Sequence, residues 1–302
     1  MKAVILTQGK YVDPKNIDWY TEQVLTEDGL LKEALIKKGF ECSKVDWADP
    51  DFDWSSVDLA IFRSTWDYFY RFEEFSTWLN MVEGQTKFIN PIKQIKWNMD
   101  KHYLLDLEAK GIPVVETHFI EQRDTTSLVD LHKQLNWSKT VLKPCISGGG
   151  RHTYLLDPSN YGEHEAVFQQ VIQNESMMLQ PYQEQITEKG EVSHIVIGGI
   201  YTHSVLKRAK AGDYRVQDDF GGTVHPYEAS EEEKAFAEKV AKCCDPLPSY
   251  ARIDVIWDNR DQLAISEVEL IEPELWFRKY PEAADLLAEV ILSNFRQFKF
   301  FP

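Results

Sequence analysis

Short apolar runs alternate with longer amphipathic segments over the first part of the chain, residues 1–92. A spaced apolar face predicts a helix, whereas a short apolar run between polar turns predicts a strand. The predicted order is strand (4–6), helix (21–38), strand (42–45), strand (59–62), helix (72–82) and strand (88–89). This alternation is typical of a parallel sheet, so a small parallel α/β domain is expected here.

The segment R-S-T-W-D-Y, residues 63–68, directly follows the third predicted strand. Ligands of parallel sheets bind beyond the carboxyl ends of the strands, where this segment is expected to lie. Arg63 brings a guanidinium that can grip a carboxylate, so it is expected to contact the substrate. An alternative remains open, in which Trp66 and Tyr68 cap the core while Arg63 pairs with Asp67.

The next segment predicts one helix over 95–110 with Lys101 on it, a strand over 114–119, and a strand that delivers Lys143. Ser147, Gly148, Gly149 and Gly150 then form a polar loop. Consecutive glycines permit a close backbone approach to an anion, and a lysine adds a point charge, so the segment favours a phosphate site. A plain hairpin with a glycine-rich turn is the alternative. Neither a G-x-x-x-x-G-K-[ST] loop nor a G-x-G-x-x-G fingerprint is present.

The last third of the chain carries paired charges on two predicted strands, 251–257 and 263–271. Arg252 and Asp254 are two residues apart, as are Glu267 and Glu269, so each pair lies on one face of its strand. If the two faces coincide, three carboxylates and an arginine converge. Such carboxylates require neutralisation, which favours magnesium. The alternative is a half-exposed hairpin with its polar face in water.

The formal net charge of −16 disfavours nucleic acid as a partner, because a polyphosphate would be repelled. The sequence shows neither a signal-like segment nor an apolar span of membrane length. Its four cysteines have no C-x-x-C spacing, so reduced thiols are expected. We therefore expect a cytoplasmic protein without a membrane partner. A small anionic ligand remains compatible with this charge, since it needs only local cations.

From about Trp97 to the C-terminal helix, the chain resembles the ATP-grasp superfamily of carboxylate–amine ligases. The resemblance rests on N-M-D-K-H-Y-L-L-D-L-E-A-K-G-I-P-V-V, V-L-K-P with S-G-G-G, L-Q-P-Y, Y-A-R-I-D-V and S-E-V-E-L-I-E-P in that order. The motifs R-S-T-W-D-Y, G-D-Y-R-V-Q and E-L-I-E-P-E-L-W look more like the branch that forms D-cycloserine. One departure is Glu269, where well-known ligases of the family carry asparagine.

The resemblance implies a role for each matched residue. The implied set is Lys101, Lys143 and Lys207 on phosphate, Ser147 to Gly150 as the loop over the phosphates, Gln180 and Tyr182 at adenine, Glu191 at ribose, Arg252 on the transferring phosphoryl group, and Asp254, Glu267 and Glu269 on two Mg²⁺ ions, with Mn²⁺ as an alternative. It also implies that ATP phosphorylates a substrate carboxylate and that an amine attacks the acyl phosphate, releasing ADP and phosphate.

The implied fold is a small parallel α/β N-terminal domain (1–92) followed by a two-lobed α+β ATP-grasp fold, with lobes over 93–183 and 184–302. Arg63 and Arg215 are expected to hold the acceptor carboxylate of an amino-acid-like or peptide-like substrate, with Asp213 beside them. Asp213 or Glu274 is the candidate base for the amine. Many relatives form dimers, so a homodimer is expected. A small-molecule kinase and a non-catalytic nucleotide sensor stay as alternatives.

Overall fold

The N-terminal part of the chain forms a four-stranded parallel sheet. The computed structural model describes residues 1–210, 212, 215–216 and 221–300. The first elements are β1 (Lys2–Thr7), α1 (Trp19–Lys37), β2 (Glu41–Asp46), β3 (Leu59–Ser64), α2 (Phe72–Val82) and β4 (Lys87–Ile89). The strand order is β2-β1-β3-β4, so β1 and β3 are the central strands. Both are almost entirely buried, as their apolar runs predict.

The middle of the chain forms a four-stranded antiparallel sheet with the order β5-β8-β6-β7. Its elements are α3 (Ile92–Asn98), α4 (Tyr103–Ala109), β5 (His118–Ile120), α5 (Leu128–Leu135), β6 (Thr140–Pro144), β7 (Tyr154–Leu156), α6 (Tyr161–Ile172) and β8 (Met177–Pro181). Helices α5 and α6 cover one face of this sheet, where Leu142, Phe168 and Leu179 are buried together. The glycine loop connects β6 to β7.

The last part forms a five-stranded antiparallel sheet with the order β11-β10-β9-β12-β13. Its elements are α7 (Gln185–Glu188), β9 (Glu191–Ile197), β10 (Ile200–Arg208), β11 (Thr223–Tyr227), α8 (Glu231–Cys243), β12 (Tyr250–Trp257), β13 (Leu263–Glu269) and α9 (Glu282–Phe300). The parallel sheet followed by two antiparallel sheets confirms the predicted fold class. Among the described residues, no helix combines the length and apolar character needed to cross a membrane.

The predicted helix over 95–110 is in fact two helices, α3 and α4, separated by a turn over residues 99–102. The side chain of Asn98 explains the break, because Nδ2 donates to Val268 O (2.8 Å) and Oδ1 accepts from Leu270 N (2.8 Å). The backbone N–H of Lys101 then donates to Cys145 O (3.0 Å) instead of continuing a helix. The strand predicted over 114–119 is also shorter, since only His118–Ile120 pairs with β8.

Buried hydrogen bonds join the parallel sheet to the five-stranded sheet. Asn90, which follows β4, donates to the carbonyls of Tyr250 and Leu270 at 2.9 Å and accepts from Ser249 N at 2.7 Å. The hydroxyl of Tyr250 in turn lies 2.8 Å from Ile271 O and 3.1 Å from the carbonyl of Phe62 in β3. These bonds hold the carboxyl end of β3 against the ends of β12 and β13.

Candidate active site

A cavity of about 510 Å³ opens where the three sheets meet. The carboxyl ends of β1 and β3 lie at one end of it, and the two antiparallel sheets form its sides. Residues from all three sheets line it: Gln8 and Trp66 after the parallel strands, Lys143 and Gln180 from the four-stranded sheet, and Glu191, Lys207, Arg252 and Glu267 from the five-stranded sheet. The volume is of the order found for small-molecule sites.

Three carboxylates converge on one face of the β12–β13 pair. In the antiparallel register Asp254 lies opposite Glu267, and Arg252 lies opposite Glu269. One oxygen atom from each of Asp254, Glu267 and Glu269 lies within 4.8 Å of the other two. Because side chains alternate along a strand, the two-residue spacing keeps all of these groups on the same face. The arrangement offers only oxygen ligands, the type that Mg²⁺ prefers.

Arg252 binds two of these carboxylates at once. Its Nε lies 3.0 Å and 3.1 Å from the two oxygens of Asp254, and Nη2 donates to Asp254 Oδ2 at 2.8 Å. Nη2 also donates to Glu269. A planar guanidinium can make both interactions, whereas an ammonium group cannot match the fork. Arg252 therefore fixes the relative positions of Asp254 and Glu269.

Lys101 connects the carboxylate cluster to the glycine loop. Its Nζ lies 3.0 Å from Glu267 Oε1 and donates to Ser147 O at 2.8 Å. Lys143 reaches the same region from β6. Burial lowers the pKa of Lys143, and although Glu267 opposes this, the nearby charge of Lys101 lowers it further. Two buried ammonium groups thus face one carboxylate, which leaves positive charge available for an anionic ligand.

Lys207, on β10 of the five-stranded sheet, is held between two carboxylates. It forms an ion pair with Glu191, and its Nζ lies 3.4 Å from Asp254 Oδ2. The hydroxyl of Ser266 donates to Glu191 Oε2 at 2.7 Å, and the hydroxyl of Ser193 donates to Asp254. Neighbouring strands β9, β10, β12 and β13 supply these groups, so the sheet itself fixes their spacing.

The carboxylates of the cluster differ in acidity. Burial raises the pKa of Glu269 to about 7. The charges of Glu267 and Asp254 also raise it, and these effects together outweigh the opposing effect of Arg252. Burial acts in the same direction on Asp254, but Arg252 and Lys207 prevail and hold its pKa at about 2. Burial also raises the pKa of Glu272, and the charge of Glu269 raises it further. Negative charge is therefore in excess around Glu269, which is where an added cation would be most favourable.

The glycine loop closes the cavity above Lys101. Ser147 bonds back to Pro144 O (3.1 Å) through its hydroxyl, and Gly149 and Gly150 have φ values of 56° and 70°. Gly148 packs so closely against the N-terminal domain that it leaves no room for a side chain. A Cβ placed there would lie 2.5 Å from Phe69 Cε1. The loop thus requires glycine at positions 149 and 150 for conformation and at 148 for close approach.

The end of β8 and the residues that follow it form another part of the cavity wall. Gln180 Nε2 donates to Thr117 Oγ1 at 2.8 Å, which orients the side-chain amide. Both backbone groups of Tyr182 already have partners, since its N–H donates to Lys139 O and its carbonyl accepts from Asn259 Nδ2, each at 2.9 Å. The predicted adenine contact of this segment therefore depends on Gln180 more than on the backbone of Tyr182.

The structure brings nearly all of the predicted site residues to this one cavity. Those that line it are Lys101, Lys143, Ser147, Gly148, Gly149, Gly150, Gln180, Tyr182, Glu191, Lys207, Arg215, Arg252, Asp254, Glu267 and Glu269. Asp213 lies outside the described residues. Arg63 is not among the cavity-lining residues that the structure describes; it is 3% exposed, with its guanidinium 5.4 Å from the ring centre of Phe277.

Several lining residues were not predicted from the sequence. Gln8, Lys10 and Tyr11 follow β1, and Tyr20 lies at the start of α1. The rule that selected the segment after β3 applies equally to the segment after β1, since parallel strands present their carboxyl ends at one edge. Glu272 was also missed; it lies three residues after the end of β13, and its backbone carbonyl accepts from Trp66 Nε1 at 3.0 Å.

Comparison with known proteins gives concordant results. A model of the RimK-like ATP-grasp domain matches residues 99–275, and a model of the N-terminal domain of D-cycloserine synthetase DcsG matches residues 4–90. The cycloserine biosynthesis protein DcsG of Streptomyces lavendulae is 30% identical over 268 residues, 81% of this chain and 86% of that protein.

Two solved structures share the fold. The crystal structure of D-cycloserine synthetase DcsG aligns with a TM-score of 0.86 at 23% identity, over 98% of this chain and 100% of that one. D-alanine–D-alanine ligase from Bacillus anthracis in complex with ATP aligns with a TM-score of 0.68 at 15% identity, over 99% and 98% of the two chains. The sequence matches and the cation-lined carboxylate cluster lead to one conclusion: the chain belongs to the ATP-grasp family of carboxylate–amine ligases, with a RimK-like ATP-grasp domain.

Proposed function

We propose that this ATP-dependent ligase carries out both of its chemical steps in the cavity described above. A substrate carboxylate oxygen attacks the terminal phosphorus of ATP, and ADP leaves. An amine then attacks the resulting acyl phosphate, loses a proton and displaces phosphate. The observation that carries the proposal is the convergence of four cations on the three-carboxylate cluster: Lys101, Lys143, Lys207 and Arg252.

The four cations are assigned to the phosphates. Lys101, Lys143 and Lys207 hold the phosphate chain of ATP, and Arg252 holds the phosphoryl group during its transfer. This assignment suits the chemistry, because phosphoryl transfer is accelerated mainly by positioning and by cations placed where negative charge develops. The glycine loop, residues 147–150, covers the phosphates, and its contact with Phe69 ties that cover to the N-terminal domain.

Asp254, Glu267 and Glu269 fit the metal that the family uses, Mg²⁺. They supply three oxygen ligands within 4.8 Å of one another, and burial together with the charges of Glu267 and Asp254 raises the pKa of Glu269 to about 7, so an added cation would be favourable beside Glu269. When bound, Mg²⁺ supplies charge that neutralises the phosphate oxygens. We propose two ions, with Mn²⁺ as a substitute, because the carboxylates extend along two strands.

The nucleoside is placed at the end of the cavity formed by β8 and β9. Gln180 is assigned to the adenine edge and Tyr182 to the wall beside it. Glu191 is assigned to the ribose hydroxyls, because Ser266 and Lys207 already hold its carboxylate at the cavity surface. A carboxylate accepts hydrogen bonds from vicinal hydroxyls, so the chemistry of Glu191 matches this position.

The carboxylate and amine substrates are placed at the opposite end, where the N-terminal sheet meets the cavity. Arg215 is assigned to the acceptor carboxylate, and Trp66 forms part of the wall. Arg63 remains a candidate for substrate contact. To reach the cavity it would require the buried side chains around it to move. Glu274 lines the cavity and is the candidate base within the described residues, although Arg278 pairs with its carboxylate; Asp213 is the other candidate.

The substrate class follows from the relatives. Their names include D-cycloserine synthetase and D-alanine–D-alanine ligase, so we propose amino acids or amino-acid-like compounds as substrates. Attack of a molecule's own amine on its acyl phosphate would give a cyclic product, whereas attack by the amine of a second molecule would give a linear one. A homodimer and a cytoplasmic location stay as predictions from the sequence.

The test is ADP release from Mg-ATP with carboxylates and amines offered singly, in pairs and within one molecule, with the products identified by mass. The panel includes D- and L-amino acids and their dipeptides. ADP that forms only when both groups are present, together with a product that has lost water, supports the proposal. A stable phosphorylated product that forms without an amine would instead establish a kinase.

Glu267→Gln tests the assignment of the carboxylate cluster, and Glu232→Gln is its matched control. The substitution preserves shape but removes the charge that Lys101 contacts at 3.0 Å, so turnover is expected to fall at least about 100-fold while the fold is retained. Glu232→Gln removes an exposed carboxylate from α8 and is expected to leave turnover unchanged. Full activity of Glu267→Gln would contradict the assignment of the carboxylate cluster.

A further inference from the structure

A second cluster of potential metal ligands lies outside the cavity. Among the described residues, Asp100, His102 and Cys145 each place one ligand atom within 4.8 Å of the other two. None of the three lines the cavity described above, whereas Lys101, between Asp100 and His102 in the chain, does. The turn over residues 99–102 therefore presents Lys101 to the cavity and its two neighbours to this second cluster.

Backbone hydrogen bonds hold the three ligands in place. The N–H of Lys101 donates to Cys145 O (3.0 Å), which fixes the turn beside the cysteine, and Cys145 N donates to Ser176 O (2.9 Å). Asp100 Oδ1 accepts from His102 N at 3.0 Å and lies 2.5 Å from His102 Nδ1. The three ligand atoms therefore lie close together without any metal, and binding requires the contact between Asp100 Oδ1 and His102 Nδ1 to open so that both atoms can reach one ion.

The far side of the histidine ring is also held. Nε2 of His102 lies 3.2 Å from Glu121 Oε1, and Ser176 Oγ donates to Glu121 Oε2 at 3.1 Å. The ring stacks on Phe119 with centroids 4.2 Å apart. The contact with Glu121 keeps a proton on Nε2, so the lone pair of Nδ1 becomes free for a metal once the proton between Nδ1 and Asp100 leaves. Metal-binding histidines commonly have this kind of partner.

We propose that Asp100, His102 and Cys145 form a site for a divalent transition metal such as Zn²⁺, with water completing a tetrahedral set. A thiolate, an imidazole and a carboxylate together favour Zn²⁺ or Co²⁺ over Mg²⁺, which takes oxygen ligands. The site is thus chemically distinct from the oxygen-only cluster of Asp254, Glu267 and Glu269. It is also separate from the proposed ligase chemistry, because metal binding here requires neither ATP nor substrate.

The protonation of His102 and Cys145 without a metal determines how metal binding depends on pH. Burial opposes protonation of His102, but Asp100 and Glu121 outweigh it and raise the pKa of the imidazole, while burial raises the pKa of the Cys145 thiol. The ligands bind metal in their deprotonated forms. A metal therefore competes with protons for the His102 ring and the Cys145 thiol. Affinity is expected to rise with pH.

Access differs among the ligands. Cys145 is 1% exposed, whereas the side chains of His102 and Asp100 are 29% and 42% exposed. An ion can thus enter from solvent on the side of Asp100 and His102 and reach the thiol beneath them. Bound metal would link the turn that carries Lys101 to the end of β6, so it is expected to stabilise the folded chain against heat.

The experiment titrates Co²⁺ into the chelator-treated, full-length chain and follows its absorption spectrum. We expect one Co²⁺ per chain with a thiolate-to-cobalt charge-transfer band, and displacement of that band by Zn²⁺ but not by excess Mg²⁺. The band should disappear in Cys145→Ser and remain in Cys244→Ser, which alters another cysteine that is 1% exposed. A band that persists in Cys145→Ser, or no thiolate band at all, would overturn the proposal.

Two further variants keep the test decisive if Cys145→Ser fails to fold. Asp100→Asn alters a partly exposed ligand and should weaken Co²⁺ binding while circular dichroism stays unchanged. Glu121→Gln, which acts through His102, should weaken it by roughly 10- to 100-fold. Glu267→Gln should keep the band, so failure of this site and failure of the magnesium assignment give different results. Unchanged affinity in both Asp100→Asn and Glu121→Gln would also contradict the site.

Discussion

Arg252 is the residue on which the charge balance of the cavity depends. It donates to both oxygens of Asp254 and to Glu269. Without its guanidinium, these two carboxylates would lose the cation that they share. Arg252→Lys keeps the charge but cannot bond both carboxylates with a planar fork. We expect kcat to fall roughly 100-fold, the scale of losing one transition-state donor, while ATP affinity changes little.

The measurement is steady-state ADP release at saturating ATP, together with calorimetric binding of ATP. Arg260→Lys serves as the control, because Arg260 is 80% exposed in its side chain and pairs with Asp258 in the turn between β12 and β13. Equal kcat values for Arg252→Lys and the unmodified chain would show that the guanidinium fork is not required for phosphoryl transfer.

The residues of the carboxylate cluster could be predicted because their spacing is local. Period-two alternation fixes the face of Arg252 and Asp254 on one strand and of Glu267 and Glu269 on the next, and a short connection makes the two strands neighbours. Arg63 shows where this reasoning ends. The pattern placed it after a strand over 59–62, whereas β3 continues to Ser64 and includes Arg63, and its burial beside Phe277 depends on packing between segments more than 200 residues apart.

At the level of elements, the glycine loop depends on its contact with the N-terminal domain. A Cβ on Gly148 would lie 2.5 Å from Phe69 Cε1, and Phe69 is itself 7% exposed within an aromatic cluster. The ring therefore has little room to move, so Gly148→Ala is expected to displace the loop. We expect a roughly tenfold or greater loss in kcat/KM for ATP, since loop position contributes strongly to phosphate alignment.

A double substitution separates displacement of the loop from a general loss of stability. Phe69→Leu removes the ring edge that Gly148→Ala would meet, so the double variant is expected to recover part of the lost kcat/KM. Gly162→Ala is the matched control, because a Cβ at Gly162 meets nothing within 4 Å. Strictly additive losses in the double variant would show that the contact with Phe69 does not position the loop.

The elements near Lys101 show why the helix prediction was wrong. Apolar positions continue with helical spacing through 95–110, and this pattern contains no proline or glycine that would end a helix. The break comes from tertiary bonds instead, because Asn98 bonds to Val268 and Leu270, and the N–H of Lys101 donates to Cys145 O. Such partners lie far away in the sequence, so a local pattern cannot reveal them. The same turn gives rise to both Lys101 in the cavity and the second ligand cluster.

For the whole molecule, the formal net charge of −16 and an anionic substrate are compatible because charge is distributed unevenly. Lys143, Lys207 and Arg252 come from separate strands and Lys101 comes from a turn, and each is buried or half-buried, so salt screens these cations little. The surrounding negative charge instead disfavours larger polyanions. Overall charge therefore disfavours a class of partner, whereas the spacing of a few residues favours a site for magnesium and a small anion.

The stability of the whole molecule is expected to depend on pH through the buried histidines of the five-stranded sheet. Burial lowers the pKa of His194 on β9 to about 4, and it lowers the pKa of His203 on β10 to about 4 as well. Unfolded chains bind these protons near pH 6.5, so the unfolded state gains protons first as the pH falls. Each histidine contributes stability that is complete above about pH 6.5 and is lost progressively down to about pH 4.

His194→Leu tests this linkage, because it removes the titrating group while Ser204 keeps its contact with the hydroxyl of Tyr201. Between about pH 7.5 and about pH 5.0, His194 should cost the unmodified chain roughly 2 kcal/mol of unfolding free energy that the variant does not lose. Urea unfolding at both pH values measures the difference. Ile195→Leu, an apolar change on the same strand, should shift stability equally at both. Identical pH dependence in His194→Leu and the unmodified chain would mean that His194 is not held neutral in the folded state.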